Sequence, residues 1–254
     1  MLLYYFVDLI FYFVIFVLSF VVMFIAAISG GVGLMLRPLL LFLGIPPLTV
    51  VATMRTTILG ELPGLFVLHK NKKINWKLAL FMAIPYSIGT IIMSFVVLAL
   101  PVDIVELFIG VFLILVGLSY FFIKDIGSVE KKSPFSSKTS HVVSFVGTVF
   151  VSMIGTITGG MGPIYTSLYV WVYGKDFIKA AAVSKVATYI GGLTSAAIFI
   201  VSGYVDWVLY IPITLGLLSG SYFGAIYGLK KGAKWVKYVI ILMSILGGIK
   251  LIWF

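Results

Sequence analysis

The chain has 254 residues, of which 62% are hydrophobic and only 10% are charged, and its mean hydropathy is +1.21. A soluble domain is about half apolar and about one quarter charged, so a soluble fold could not cover this much apolar surface. The composition excludes a soluble enzyme and a disordered chain, and it predicts an all-α integral membrane protein. The formal net charge of +10 could also indicate a nucleic-acid partner, so the position of the charges has to decide.

Apolar runs divide the chain into predicted membrane segments, since a spanning helix needs about 20 apolar residues. Two shorter runs, 34–43 and 163–173, each follow a glycine cluster and are long enough for half a crossing. In all we expect about 8–10 membrane segments. The long runs cover residues 2–28, 48–68, 77–100, 103–123, 142–157, 177–201, 207–229 and 236–254.

The two halves of the chain repeat. Ser29–Gly33 aligns with Thr158–Gly162, and Val51–Arg55 aligns with Ala181–Lys185. Asn75-Trp76 aligns in the same way with Asp206-Trp207. The repeat predicts that each half holds three full spanning helices and a hairpin of a broken helix and a half-helix. The predicted units are a first repeat over 1–123, a cytoplasmic linker over 124–140 and a second repeat over 141–254.

Most of the basic residues fix the predicted orientation. Fourteen of the eighteen Lys and Arg residues lie in the segments 69–77, 124–138, 175–179 and 230–237, which the positive-inside rule places in the cytoplasm. Segment 69–77 and its repeat partner 202–206 then lie on opposite sides, so the two repeats are inverted. Inverted repeats are typical of secondary transporters. We expect the protein in the plasma membrane of a prokaryotic cell, with both termini outside.

This topology is testable by labelling. A tag at either terminus should react with a membrane-impermeant reagent applied to intact cells, because both ends are predicted to be external. A tag inserted within 124–138 is the control and should react only after permeabilisation. Terminal tags that react only from the cytoplasm would contradict the predicted orientation.

Two glycine clusters, GGVG at 30–33 and GGMG at 159–162, interrupt apolar runs at equivalent positions. Each precedes a predicted half-helix, whose N-terminal N–H groups would favour an anion. Broken helices at membrane depth are tolerated where they line a cavity or are buried in protein. Glycines that merely allow close helix packing are the alternative. The candidate ligands here are Ser29, Gly30, Gly31, Gly33, Thr158, Gly159, Gly160 and Gly162.

Three basic side chains lie inside predicted spans. Arg55 and Lys185 are repeat partners that approach the bilayer midplane from opposite sides, and Arg37 lies in the first half-helix. A charge at the bilayer centre costs at least about 2.5–3.5 kcal/mol, so it is usually paired or functional. We predict that Arg55 and Lys185 bind the substrate anion and that Arg37 is a third contact to it. Snorkelling toward an interface is the alternative. The hydroxyls of Thr53 and Ser184 flank these charges and could bind anionic oxygens or bridge helices.

Glu61 is the only acidic residue deep within a predicted span. It is a candidate proton-coupling site, because burial favours a protonated carboxyl group. Its alternative role is an ion pair with Arg37, Arg55 or Lys185.

Motifs for other chemistry are missing from the sequence. It contains no GxxxxGK[ST] phosphate loop, no HExxH and no GxSxG, and it lacks a His/Cys metal set. Basic residues are not interleaved with aromatic residues in a soluble segment, which argues against nucleic acid as a partner. We therefore expect no enzymatic activity and no cofactor. The expected partners are a small anion and the lipid bilayer, with proton coupling left open.

Taken in order, these motifs resemble the sulfite exporter TauE/SafE family of membrane permeases. The resemblance rests on the duplicated glycine clusters, on Pro38-Leu39-Leu40, on Val51-Ala52-Thr53 before Arg55 and on Asn75-Trp76 with its partner Asp206-Trp207. It covers roughly residues 20–254. Family members usually carry an aliphatic residue at the position of Arg37, and the second half has Ser167-Leu168 in place of Pro-Leu-Leu.

The resemblance implies a transporter of sulfur-containing anions such as sulfite or organosulfonates, often an exporter. Together with the repeat, it predicts alternating access with the anion bound between the two halves. A transporter or channel for another small anion, such as a carboxylate, is an alternative. A membrane protein that does not transport is a second alternative.

Overall fold

A computed structural model describes residues 2–28, 30–122 and 133–231, and within these ranges it contains helices and no β-strand. Six helical segments of the described residues are long and apolar enough to cross a membrane, and one of them, Pro47–Lys70, is divided between two helices. This confirms the all-α membrane fold class. Ser29, most of the predicted linker and the last predicted run, 236–254, lie outside the described residues. The helices are α1 Leu2–Ala26, α2 Val32–Phe42, α3 Pro47–Thr56, α4 Leu62–Lys70, α5 Trp76–Ala99, α6 Val102–Phe122, α7 Ser137–Thr158, α8 Gly162–Tyr173, α9 Phe177–Val201 and α10 Trp207–Lys231.

The two predicted half-helices are confirmed. Helix α2 has 11 residues and α8 has 12, so each is long enough for about half of the hydrocarbon core. Helix α7 begins inside the segment predicted as linker, because the Ser136 hydroxyl accepts a hydrogen bond from the Thr139 N–H at 3.3 Å and caps the helix. Asn75 and Asp206, which the repeat aligns, cap α5 and α10 in the same way.

The span predicted over 48–68 is interrupted, and this interruption was not predicted from the sequence. A 3-10 helix, Thr57–Glu61, separates α3 from α4. Pro63 lies in the first turn of α4, where it has no N–H to continue the α-helical hydrogen bonding of the preceding turn. The aligned helix of the second half, α9, has no proline and continues for 25 residues.

The long helices of one half pack mainly on long helices of the other half, whereas α2 and α8 pack mainly within their own halves. Helix α1 packs along α10, and α7 packs along α5. In the same reciprocal way, α5 packs along α9, while α10 packs along α3, the 3-10 helix and α4. Reciprocal contacts of this kind are expected if a two-fold axis relates the two halves. The inversion of one half relative to the other across a membrane stays a prediction.

A row of glycines allows the backbones of α1 and α10 to approach each other closely. Gly216, Gly220, Gly224 and Gly228 are spaced four residues apart and share one face of α10. A Cβ atom on Gly216 or Gly220 would lie 2.5 Å from a carbonyl oxygen of α1. Small residues at this spacing are a common basis of helix association in membranes, and here they tie the first helix of the chain to the second half.

Candidate functional site

The two glycine clusters meet at the centre of the molecule. The Gly33 N–H donates a hydrogen bond to the Gly159 carbonyl oxygen at 3.0 Å, and a Cβ atom on Gly30 would lie only 2.9 Å from the Cα atom of Gly162. Gly30, Gly31 and Gly159 have φ angles of +76°, +92° and +76°, in the left-handed region that glycine adopts most easily. The clusters therefore serve close packing, and they also form part of a cavity wall.

A cavity of about 70 Å³ lies beside this crossing, between α2, α3, α5, α8 and α9. Its volume is enough for several waters or a small polar solute. Nine of the candidate residues line it. Five belong to the glycine clusters, namely Gly30, Gly31, Gly159, Gly160 and Gly162, and four contribute side chains, namely Arg55, Glu61, Ser184 and Lys185.

Three charged side chains lie in this first cavity. The Lys185 Nζ atom is 3.6 Å from Glu61 Oε2, with 7% and 23% of the two side chains exposed. This distance exceeds the 2.7–2.9 Å or so of a strong charge-assisted hydrogen bond. Arg55 lines the same cavity and is also buried. Two positive charges and one negative charge leave the first cavity with a net positive charge.

Arg37 and Arg55 do not snorkel, because both bind the carbonyl groups that end α7. Arg37 Nη1 donates to the carbonyl oxygen of Thr156 at 3.0 Å and also to that of Ile157. Arg55 Nη2 donates to the Gly155 carbonyl, and its Nε donates to that of Thr156 at 3.4 Å. The last carbonyls of a helix have no partner within the helix and carry partial negative charge, so the two guanidinium groups stabilise this buried terminus.

A second cavity of about 60 Å³ lies on the other side of a shared wall. Arg37 and Gly33 line only this second cavity. Arg37 and Lys185 therefore line different cavities, although the sequence predicted a single site for them. The residues that line both cavities are Val32, Arg55, Ile58, Glu61 and Gly159.

Two hydroxyl candidates lie away from both cavities. The Thr53 hydroxyl accepts a hydrogen bond from the Asp206 N–H at 2.9 Å and so connects α3 to the start of α10. The Thr158 hydroxyl donates to the Ile154 carbonyl oxygen at 3.2 Å, within its own helix. Ser29 lies outside the described residues. Of the predicted hydroxyl ligands that the structure describes, Ser184 alone lines either of these two cavities.

Two tyrosines of the first cavity were not predicted from the sequence. Tyr86 and Tyr165 lie with their ring centroids 5.2 Å apart and form part of its wall. Tyr86 is ten residues into α5, so it lies about 15 Å along the helix, near the middle of a span. This depth is a signal that could have identified it, since a polar group there needs a partner or a cavity. Thr166 and Thr188 add two more hydroxyl groups to the wall.

The chain is similar to a family of sulfite exporters and to proteins named as probable membrane transporters. The model of the family described as "Sulfite exporter TauE/SafE" matches residues 15–251. A Sinorhizobium protein named "Probable membrane transporter protein ORF9" is 28% identical over 235 residues, which is 90% of this chain and 87% of that protein. A "Probable membrane transporter protein" of Haemophilus influenzae is 26% identical over 91% of this chain and 90% of its own length. No solved structure matches.

Proposed function

Since the chain belongs to the sulfite exporter TauE/SafE family of membrane transporters, we propose that it exports a small sulfur-containing anion such as sulfite or an organosulfonate. Export is by alternating access, with the anion held between the two halves in the first cavity. The observation that supports this proposal most directly is the net positive charge of that cavity. A buried cation in a membrane protein is expensive unless it is paired, and an anionic substrate is a suitable partner.

The cavity contains suitable groups for the oxygen atoms of such an anion. Lys185 and Arg55 supply positive charge, and Ser184 and Tyr86 supply hydroxyl groups. The Thr188 hydroxyl already donates to the Lys185 carbonyl oxygen at 3.0 Å. The cluster Gly159–Gly162 precedes α8, whose N-terminal dipole favours negative charge. One correction concerns Gly33, whose N–H is already bonded to Gly159 and so is not a ligand in this conformation. The halves meet at this crossing, so movement of one half against the other would change access to the anion.

Replacing Lys185 with alanine tests this site. We expect sulfite efflux from proteoliposomes to fall at least about tenfold, because the anion loses a buried ionic partner. Lys179→Ala is the matched control on the same helix, since the Lys179 side chain is 49% exposed and pairs with Asp176. Arg55→Ala should also reduce efflux, although it additionally exposes the end of α7. Efflux that survives both Lys185→Ala and Arg55→Ala, alone and together, would contradict the proposal.

The identity of the anion and the mode of transport need separate measurements. Sulfite, sulfate, thiosulfate, sulfonates and carboxylates should be compared by the shift each produces in the melting temperature of the purified protein, because a bound ligand stabilises the folded state. A carrier should show saturable flux and acceleration by anion on the opposite side. A channel that conducts through the same cavity would show neither.

A further inference from the structure

We propose that the second cavity is a second binding station for the same class of small oxyanion, with Arg37 as its cationic ligand. This inference rests on the proposed function, because it adds a station to the path of that substrate. It begins from Arg37, which is 1% exposed and lines the second cavity. The anion would occupy this station after it leaves Lys185.

The protein provides hydrogen-bond partners for only part of the Arg37 guanidinium group. Its Nη1 atom bonds to α7, but its buried Nε has no hydrogen-bond partner among the described residues. Within those residues no carboxylate forms a salt bridge with Arg37, since Glu61 is paired with Lys185. A buried charged donor that lacks a partner is costly. An oxyanion in the adjacent cavity would supply both the acceptor and the opposite charge.

The linings of the two cavities are partly related by the sequence repeat. Residues of the first cavity can be matched to residues of the second by the same offsets of 129 to 130 positions that align the glycine clusters and Arg55 with Lys185. On an inverted repeat, two such cavities open toward opposite sides of the membrane. The pairs, second cavity first, are Met54 with Ser184, Arg55 with Lys185, Ile58 with Thr188 and Arg37 with Thr166.

The two cavities share two charged residues but differ in their other polar side chains. Arg55 and Glu61 belong to the wall between the cavities and face both of them. Lys185 supplies the additional cation on one side, and Arg37 supplies it on the other. The second cavity replaces the hydroxyls of Ser184 and Thr188 with Met54 and Ile58, so its lining is less polar. A less polar second station of this kind suits release of the anion, since fewer hydroxyl groups are available there to hold its oxygen atoms.

Introducing a carboxylate into the second cavity tests the station without removing Arg37 from α7. In Met54→Glu the new carboxylate competes with the anion for Arg37, whereas Met54→Gln has the same size and no charge. We expect the maximal rate of sulfite efflux to be at least about tenfold lower in Met54→Glu than in Met54→Gln. Equilibrium binding of sulfite should differ less than about threefold between the two, because the first cavity keeps its ligands.

The possible outcomes distinguish failure of the second-station proposal from failure of the proposed function. Equal efflux by the two variants would overturn the second station, and so would an equal loss of binding and efflux, which indicates one undivided site. If Met54→Glu does not fold, the pair Leu217→Glu and Leu217→Gln applies the same comparison from α10, because Leu217 lines the same cavity. If the unmodified protein neither binds nor transports sulfite or any anion of the panel, the proposed function itself is wrong.

Discussion

Gly33→Ala should prevent the protein from folding. A Cβ atom at this position would overlap the Cα, C and O atoms of Gly159, and all three belong to the backbone. The new atom cannot be accommodated by a side-chain rotation, so the two clusters would have to separate and break the hydrogen bond between Gly33 and Gly159. We expect a loss of more than about 4 kcal/mol in the free energy of unfolding. The measurement is the yield of monodisperse protein and its melting temperature in detergent.

Gly44→Ala is the matched control for this prediction. Gly44 has a φ angle of +81°, and a Cβ atom there would contact nothing within 4 Å. The substitution therefore adds only the cost of a left-handed backbone, about 1–2 kcal/mol, and the protein should still be purified. A Gly33→Ala protein that is as stable as Gly44→Ala would show that the two clusters do not pack against each other as described.

The half-helices could be predicted from the sequence because their signals are local. A glycine cluster that is followed by ten or eleven apolar residues can end one helix and start a short one. The equivalence of Asn75 and Asp206 in the repeat could also be predicted from the sequence, since both residues cap the helices that follow them. The break before α4 was also encoded locally, by Pro63, but the apolar run around it concealed the signal.

The division into two cavities could not be predicted in the same way. Arg37, Arg55 and Lys185 are all isolated cations within apolar runs, and nothing in their spacing says which ones share a cavity. The arrangement depends on where α7 ends, because its last carbonyls bind both arginines and leave Lys185 to pair with Glu61. These are contacts between residues about a hundred positions apart, and they follow from how the two halves pack.

Glu61→Gln should lower the free energy of unfolding by about 2 kcal/mol and should strengthen anion binding. The substitution leaves Lys185 without its carboxylate partner in a largely buried cavity that Arg55 also lines. Removing one member of a fully buried ion pair costs about 3–5 kcal/mol, and the 23% exposure of the Glu61 side chain reduces that figure. The measurement is thermal and denaturant unfolding in detergent, with and without sulfite.

Asp176→Asn provides the control for an ion pair on the surface. Asp176 pairs with Lys179 at 3.5 Å and also caps α9, and asparagine can keep the cap. Because the Lys179 side chain is 49% exposed, against 7% for Lys185, loss of this pair should change stability by less than about 1 kcal/mol. The double variant Glu61→Gln with Lys185→Met should recover much of the stability lost in Glu61→Gln alone, since no unpaired lysine remains.

The effect of sulfite on the Glu61→Gln variant separates two roles of this carboxylate. If Glu61 occupies the place of the anion in the empty protein, sulfite should raise the melting temperature of the variant more than that of the unmodified protein, because nothing competes for Lys185. If Glu61 instead couples transport to protons, its replacement should remove the dependence of flux on pH. If the variant binds sulfite no better than the unmodified protein and its flux keeps the same pH dependence, Glu61 has neither of these roles. Its role is then that of a structural ion-pair partner of Lys185.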